Sequence, residues 1–130
     1  MTDVGHIDAG HSEALELART AARAADDKKG EDTMILDVSG VLVIADAFVV
    51  TSAANRRLVR TLADAVEEDV WLGHDRRPLR TEGLSDLQWV LLDYGDVIVH
   101  VFAEEQRRFY EIERLYRDVP RVSYDGPMPA

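Results

Sequence analysis

The chain contains no cysteine. That removes disulfides, thiolate metal sites and cysteine nucleophiles together, and it fits a reducing compartment. Basic residues are also scarce beside acidic ones: 15 Lys and Arg against 25 Asp and Glu give a formal charge of −10. Binding naked nucleic acid through the general surface is therefore disfavoured, because phosphate contact is driven by Lys and Arg displacing counterions. A basic patch on another protein suits such a chain better. Long apolar runs are missing too. None approaches the roughly 18 residues that a membrane span requires, and the opening MTDVGHIDAGHS has neither a basic segment nor an apolar core. The expectation is a soluble, cytoplasmic protein.

What is present is enough for one domain: 130 residues, 46% hydrophobic and 31% charged. Residues 1–11 are Gly, Asp and His rich without periodicity and read as a flexible tail, as does the Pro-rich end 120–130. From Ser12, a plausible N-cap, the run SEALELARTAARAADDKK places Leu15, Ala18, Ala22 and Ala25 at helical spacing and stops before Gly30. Thr33–Val38 and Asp46–Ser52 are short and rich in β-formers, hence strands. A second helix runs from Ala53 to about Val70, with Leu58, Leu62, Ala65 and Val66 in one stripe. A loop follows, with a brief strand at Leu79–Thr81. Two stronger strands come next, Leu87–Asp93 and Asp96–Phe102. The last helix carries Phe109, Ile112, Leu115, Tyr116 and Val119 on one side. The order predicts an α/β fold: a mixed β-sheet with flanking helices, the last two strands forming a hairpin and the middle helix serving as a crossover.

With Tyr94 and Gly95 at the centre of a two-residue turn, Asp93 stands opposite Asp96, Leu92 opposite Val97 and Trp89 opposite His100. One face of the hairpin is then wholly aliphatic and must pack on helices. The other mixes Trp89, Leu91, Ile98, His100, Phe102 and the two aspartates, the composition of an interaction surface. Opposed like charges cost stability. Three accounts of Asp93 and Asp96 remain open: turn chemistry, in which aspartates cap nearby N–H groups; a metal pair for phosphoryl transfer; and a basic partner that relieves the repulsion. The metal account needs a third acidic ligand and a phosphate cradle. Thr51–Arg57 (TSAANRR) stands where the cradle belongs but has no glycine.

Other constellations are weaker. His6 and His11 with Asp3 and Asp8 match no metal-ligand spacing and lie in the tail. There is no GxSxG, P-loop or GxGxxG pattern. Arg76, Arg77 and Arg80 form a small basic cluster that reads as a solvated loop or, in an acidic protein docked on a ribonucleoprotein, as a local phosphate contact.

The run WVLLDYGDVIVHVFAEEQRRFYEIERLY, Trp89 to Tyr116, resembles the signature of the Iojap/RsfS family of ribosomal silencing factors. The likeness extends through DTMILDVSG, IADAFVVTSAANRR and TEGL, covering residues 12–119 as one domain between the tails 1–11 and 120–130. It implies a nucleotidyltransferase-like fold without enzyme activity, metal or cofactor. It also implies a function: binding ribosomal protein fourteen of the large subunit on the face that meets the small subunit, blocking subunit joining and repressing translation when nutrients run short. Family members are similar in forming homodimers when free. The alternatives are a large-subunit assembly scaffold and a metal-dependent nucleotidyltransferase. The expected partner-binding residues are Trp89 and His100 as anchors, Asp93, Tyr94 and Asp96 at the turn, and, more peripherally, Glu82 and Tyr110.

Overall fold

The computed structural model describes residues 4–124, with side chains from Ala9 onward. The elements run α1 (Val4–Asp27), β1 (Glu31–Asp37), β2 (Ala47–Ala53), α2 (Arg56–His74), β3 (Arg80–Glu82), β4 (Trp89–Asp93), β5 (Val97–Ala103), α3 (Glu104–Tyr110), α4 (Ile112–Leu115) and β6 (Arg121–Val122). The six strands form one sheet in the order β3-β4-β5-β2-β1-β6. β2 and β5 run parallel, and every other neighbouring pair is antiparallel. This is the mixed sheet with flanking helices that the sequence predicts.

One face of the sheet packs on α1 and α2. Ala14, Leu17, Ala18, Ala21, Ala22, Ala24 and Ala25 are all buried along α1, and their small side chains let it lie close to its neighbours. On α2, Val59, Leu62, Ala63, Val66 and Val70 are buried, a stripe shifted slightly from the one read in the sequence. Both helices sit over Val49, Val90, Leu92, Val97, Val99 and Val101 of the sheet. Asn55 opens α2 by accepting a hydrogen bond from the Leu58 N–H at 2.8 Å, and Asp75 closes it in the left-handed conformation. The TSAANRR segment is thus a strand end followed by a side-chain cap.

Both predicted tails are corrected where the structure describes them. Helix α1 starts at Val4 rather than Ser12, so residues 4–11 extend the first helix, and His11 Nε2–H donates a hydrogen bond to the Asp37 carboxylate at 2.9 Å. At the other end, Arg121 and Val122 add a short edge strand against Leu36 and Ile35. There Arg19 and Arg23 of α1 donate to the carbonyls of Ser123 and Tyr124, and the Tyr124 hydroxyl bonds Asp26. The remainder of the two predicted tails, residues 1–3 and 125–130, lies outside the described residues.

The last helix is also corrected: it is two short helices broken at Glu111, whose backbone is left-handed at φ 46°. The break abandons the single apolar stripe. Ile112 is buried, Tyr116 and Val119 pack beside it, and Phe109 and Leu115 point outward at 76% and 77% exposure. Arg107 spans the break from below, nearly buried. It donates to Glu113 at 3.3 Å, the Ser52 hydroxyl at 3.2 Å and the Glu31 carbonyl at 3.0 Å, which ties α3 to β1 and β2.

Candidate interaction surface

The second face of the sheet is only partly covered. Over β5, β2 and β1, the α3–α4 segment buries Leu36, Phe48, Val50 and Phe102 together with its own Ile112. Toward β4 and β3 the cover ends. Register places Glu82 beside Leu91 and Leu91 beside His100 in one row, and Arg80 beside Asp93 and Asp93 beside Ile98 in the next. Leu91, Ile98 and Trp89 are each half-buried there, and Glu82 is exposed.

Trp89 organises this region. Its ring lies 4.7 Å from that of Phe102 and 4.9 Å from that of Tyr110, centroid to centroid. Its indole N–H donates to His100 Nδ1 at 3.2 Å. Tyr110 is half-exposed and meets Phe109 edge-on at 4.9 Å. Apolar rings with one polar handle, framed by Glu82 and Asp93, match the composition of a protein-binding patch: aromatic at the centre and charged at the rim.

The hairpin register differs from the sequence reading by two residues. Trp89 faces Phe102, Leu91 faces His100 and Asp93 faces Ile98. Tyr94 N–H bonds the Val97 carbonyl at 2.8 Å, so the turn residues are Gly95 and Asp96, with Gly95 at φ 95°. An even shift preserves the two faces. The sequence therefore assigns the side chains within the two strands to the correct face while misplacing their cross-strand partners, and it misplaces Tyr94 and Asp96 at the turn. The sliding turn puts Tyr94 on the helix side, where its ring adds to the core.

This register corrects the expected setting of four site residues: Tyr94 and His100 leave the surface, and the two aspartates are apart and already paired. Tyr94 is 1% exposed, and burial pushes its phenol well above the usual tyrosine range; it packs the core and cannot meet a partner. His100 is 4% exposed and sits between Phe48 and Phe102, so it is not a surface anchor. Asp93 and Asp96 do not oppose each other, and each has an arginine. Arg76 donates to both Asp96 oxygens at 2.7 and 3.2 Å and to the Tyr94 carbonyl at 2.6 Å, while Arg80 lies 3.4 Å from Asp93. Asp93 also accepts from the Gly95 N–H at 2.8 Å, the turn chemistry that short acidic side chains provide. No partner is needed to explain either carboxylate.

Two expected outcomes follow locally. Asp96→Asn should lower stability by about 1 kcal/mol in urea titration, because the Arg76 pair is two-pronged but partly exposed, and should leave partner binding unchanged. The second concerns acid. An unfolded histidine takes up its proton near pH 6.5, whereas burial pushes the folded His100 pKa down to about 4. As pH falls between those values the unfolded state gains the proton first, so stability falls. At pH 5 the loss is about 2 kcal/mol relative to neutral pH. His100→Leu should lack that loss, measured as the difference between urea titrations at pH 7 and pH 5.

Three features escape the sequence reading. Val41, Val43 and Ile44, in the loop between β1 and β2, are 60%, 101% and 81% exposed, beside Leu42, which packs into the second-face cluster. Four consecutive apolar residues bounded by Gly40 and Ala45 are the signal that could have marked them. Gly83 is the second feature. At φ 91°, a Cβ there would lie 2.0 Å from the Trp89 carbonyl oxygen. The third is the pairing of the arginine cluster, which the sequence shows as residues but not as contacts: Arg76 with Asp96, Arg80 with Asp93, and Arg77 over the Trp71 ring at 4.1 Å.

His11 lies on α1, near Asp37 and Asp46. Burial raises the Asp37 pKa, but bonds from the Ser39 hydroxyl and amide, with His11, outweigh it and hold the carboxyl below its ordinary value. Among the described residues, no group of three His, Asp or Glu side chains is placed to hold a metal ion, and no helix is long and apolar enough to cross a membrane. An open cleft of about 450 Å³ lies beside Arg107, lined by Glu31, Asp32, Glu104, Glu111 and Arg114 among others. It is away from Leu91 and Ile98, and its mixed charges favour neither an anion nor a cation.

Comparison with known proteins gives the fold a context. Residues 11–129 match the family model described as ribosomal silencing factor during starvation. A ribosomal silencing factor of Halalkalibacterium halodurans is 36% identical over 111 residues, covering 85% of this chain and 94% of that protein. The Bacillus subtilis protein of the same name is 33% identical over 115 residues, covering 86% and 94%. A crystal structure of a Chromobacterium violaceum protein superposes with a TM-score of 0.75 at 30% identity, covering 90% of each chain.

Proposed function

Since this chain belongs to the ribosomal silencing factor family, we propose that it binds the large ribosomal subunit through a basic ribosomal protein, number fourteen, and blocks joining of the small subunit. Translation is thereby repressed when nutrients are limiting. The mechanism is steric and needs no catalysis, metal or cofactor, so the nucleotidyltransferase-like fold serves as a scaffold. The site of action is the cytoplasm.

The observation that carries this reading is the uncovered end of the sheet's second face. Tyr110 is exposed, and Trp89, Leu91 and Ile98 keep part of their apolar surface open although Trp89 and Ile98 also pack on the Phe48–Phe102 cluster; Glu82 and Asp93 stand at the edge. In a chain of charge −10, such a patch is complementary to a cationic protein surface. The proposed contact set is therefore Trp89, Glu82, Asp93 and Tyr110 from the sequence expectation, with Leu91 and Ile98 added. When the protein is free, the same apolar area, together with Val41, Val43, Ile44 and Phe109, favours self-association into a homodimer. Dimer and ribosome complex then compete for one surface.

Sedimentation of purified subunits with the protein, without nucleotide, tests this reading. The expected result is stoichiometric recovery with mature large subunits and none with small subunits. Recovery only with immature large-subunit precursors would favour the assembly-scaffold alternative instead.

A further inference from the structure

We infer that His100 is a positioning residue for the interaction surface: its neutral imidazole accepts the Trp89 indole N–H and fixes that ring in the orientation a partner meets. The inference rests on the proposed role of the Trp89 face in binding and adds a residue that does not itself touch the partner.

The chemistry of the pair determines the protonation of the histidine. An indole N–H can only donate, so the 3.2 Å contact requires His100 Nδ1 to accept and to carry no proton. The neutral ring must then hold its hydrogen on Nε2. That nitrogen is buried and has no hydrogen-bond partner among the described residues. A buried orphan N–H is costly, and an aliphatic side chain of similar size at this position would avoid the cost. What an aliphatic side chain cannot do is accept a hydrogen bond from Trp89.

The surroundings make the acceptor rigid. Phe48 meets the imidazole edge-on with centroids 4.9 Å apart, Phe102 stacks on it at 6.2 Å with the planes 12° apart, and β5 holds its backbone between β4 and β2. The indole, by contrast, is at the margin of the covered region. It is half-buried, with Phe102 on one side and the half-exposed Tyr110 on another. A half-buried ring is not enclosed on every side, so packing alone leaves it more than one staggered rotamer. A fixed acceptor at the indole nitrogen selects one of them before binding, which reduces the ordering cost of association.

The test combines the Trp89 side-chain ¹H–¹⁵N resonance with affinity for purified large subunits, in wild type, His100→Leu and His100→Asn. Asn places an amide oxygen where Nδ1 stands and so can still accept. For His100→Leu, the expected result is a folded protein whose Trp89 indole resonance shifts upfield and exchanges faster with solvent. Its affinity should fall roughly fivefold to tenfold, the value of one neutral hydrogen bond. His100→Asn should recover most of both signals. A Trp89→Phe background supplies a second measurement, since removing the donor should make His100→Leu silent in binding. An unchanged indole resonance in His100→Leu, or a shifted resonance with unchanged affinity, overturns the positioning role while wild-type binding stands. Wild-type protein that fails to bind large subunits overturns the proposed function itself, and the positioning role with it.

Discussion

Trp89→Ala is expected to weaken binding to the large ribosomal subunit by thirtyfold or more while the domain stays folded. Truncating a central aromatic anchor typically costs ~2 kcal/mol or more, and that energy corresponds to roughly thirtyfold in Kd. The ring is placed for this role: half-buried, held by Phe102 and Tyr110, and on the same sheet face as the half-buried Leu91 and Ile98. It lies outside the helix-side core and only borders the second-face cluster through Phe102, so its truncation should cost some stability without unfolding the domain. Circular dichroism and a urea titration alongside the binding measurement separate the two effects. A variant that unfolds would make Trp89 a core residue, and one that binds normally would move the anchor elsewhere.

Gly83→Ala should lose about 3 kcal/mol of stability or more, the sum expected for forcing a side chain into a left-handed backbone and into occupied space. The backbone at Gly83 has φ 91°, and the added methyl would meet the Trp89 carbonyl oxygen at 2.0 Å and the Val90 Cα at 3.2 Å. Relief requires the start of β4 to move, and Trp89 is its first residue. Stability and binding should therefore fall together in this variant, unlike in Trp89→Ala. Urea titration and subunit cosedimentation of the same preparation check the coupling. Stability within about 0.5 kcal/mol of wild type, the range of an ordinary surface substitution, would show that the turn accommodates the methyl.

The hairpin shows which aspects of the fold are legible in the sequence. Alternation of apolar and mixed residues is a local property, so it sorts Val90, Leu92, Val97, Val99 and Val101 from Trp89, Leu91, Ile98 and Phe102 correctly. Register is not local. It depends on whether Gly95 is the second or the first central residue of the turn, and both choices satisfy glycine's tolerance of positive φ. The structure chooses the one that buries Tyr94 and lets Arg76 reach Asp96, and both of those contacts come from residues distant in sequence.

The candidate site was legible only in part. Of the expected contact residues, Trp89 is half-buried and Glu82 and Tyr110 are exposed, which keeps all three in the proposed contact set. His100 and Tyr94 were not separable from them by sequence, because burial depends on what packs on a strand. The rings of Phe48, Trp89 and Phe102 from three strands enclose His100, and the α3–α4 segment that packs beside them is broken at Glu111, where a non-glycine residue adopts φ 46°. Nothing in FYEIERLY announces such a break. The C-terminal strand was hidden for a related reason: Arg121 and Val122 are too few to show a pattern, and they form a strand because β1 offers an edge.

The most direct test of the central claim is light scattering of purified subunits joining in magnesium, with the large subunits first incubated with this protein. The expected result is loss of the joined-particle signal, with Trp89→Ala restoring most of it at equal protein concentration. Undiminished joining by large subunits that demonstrably carry the protein would contradict the steric account.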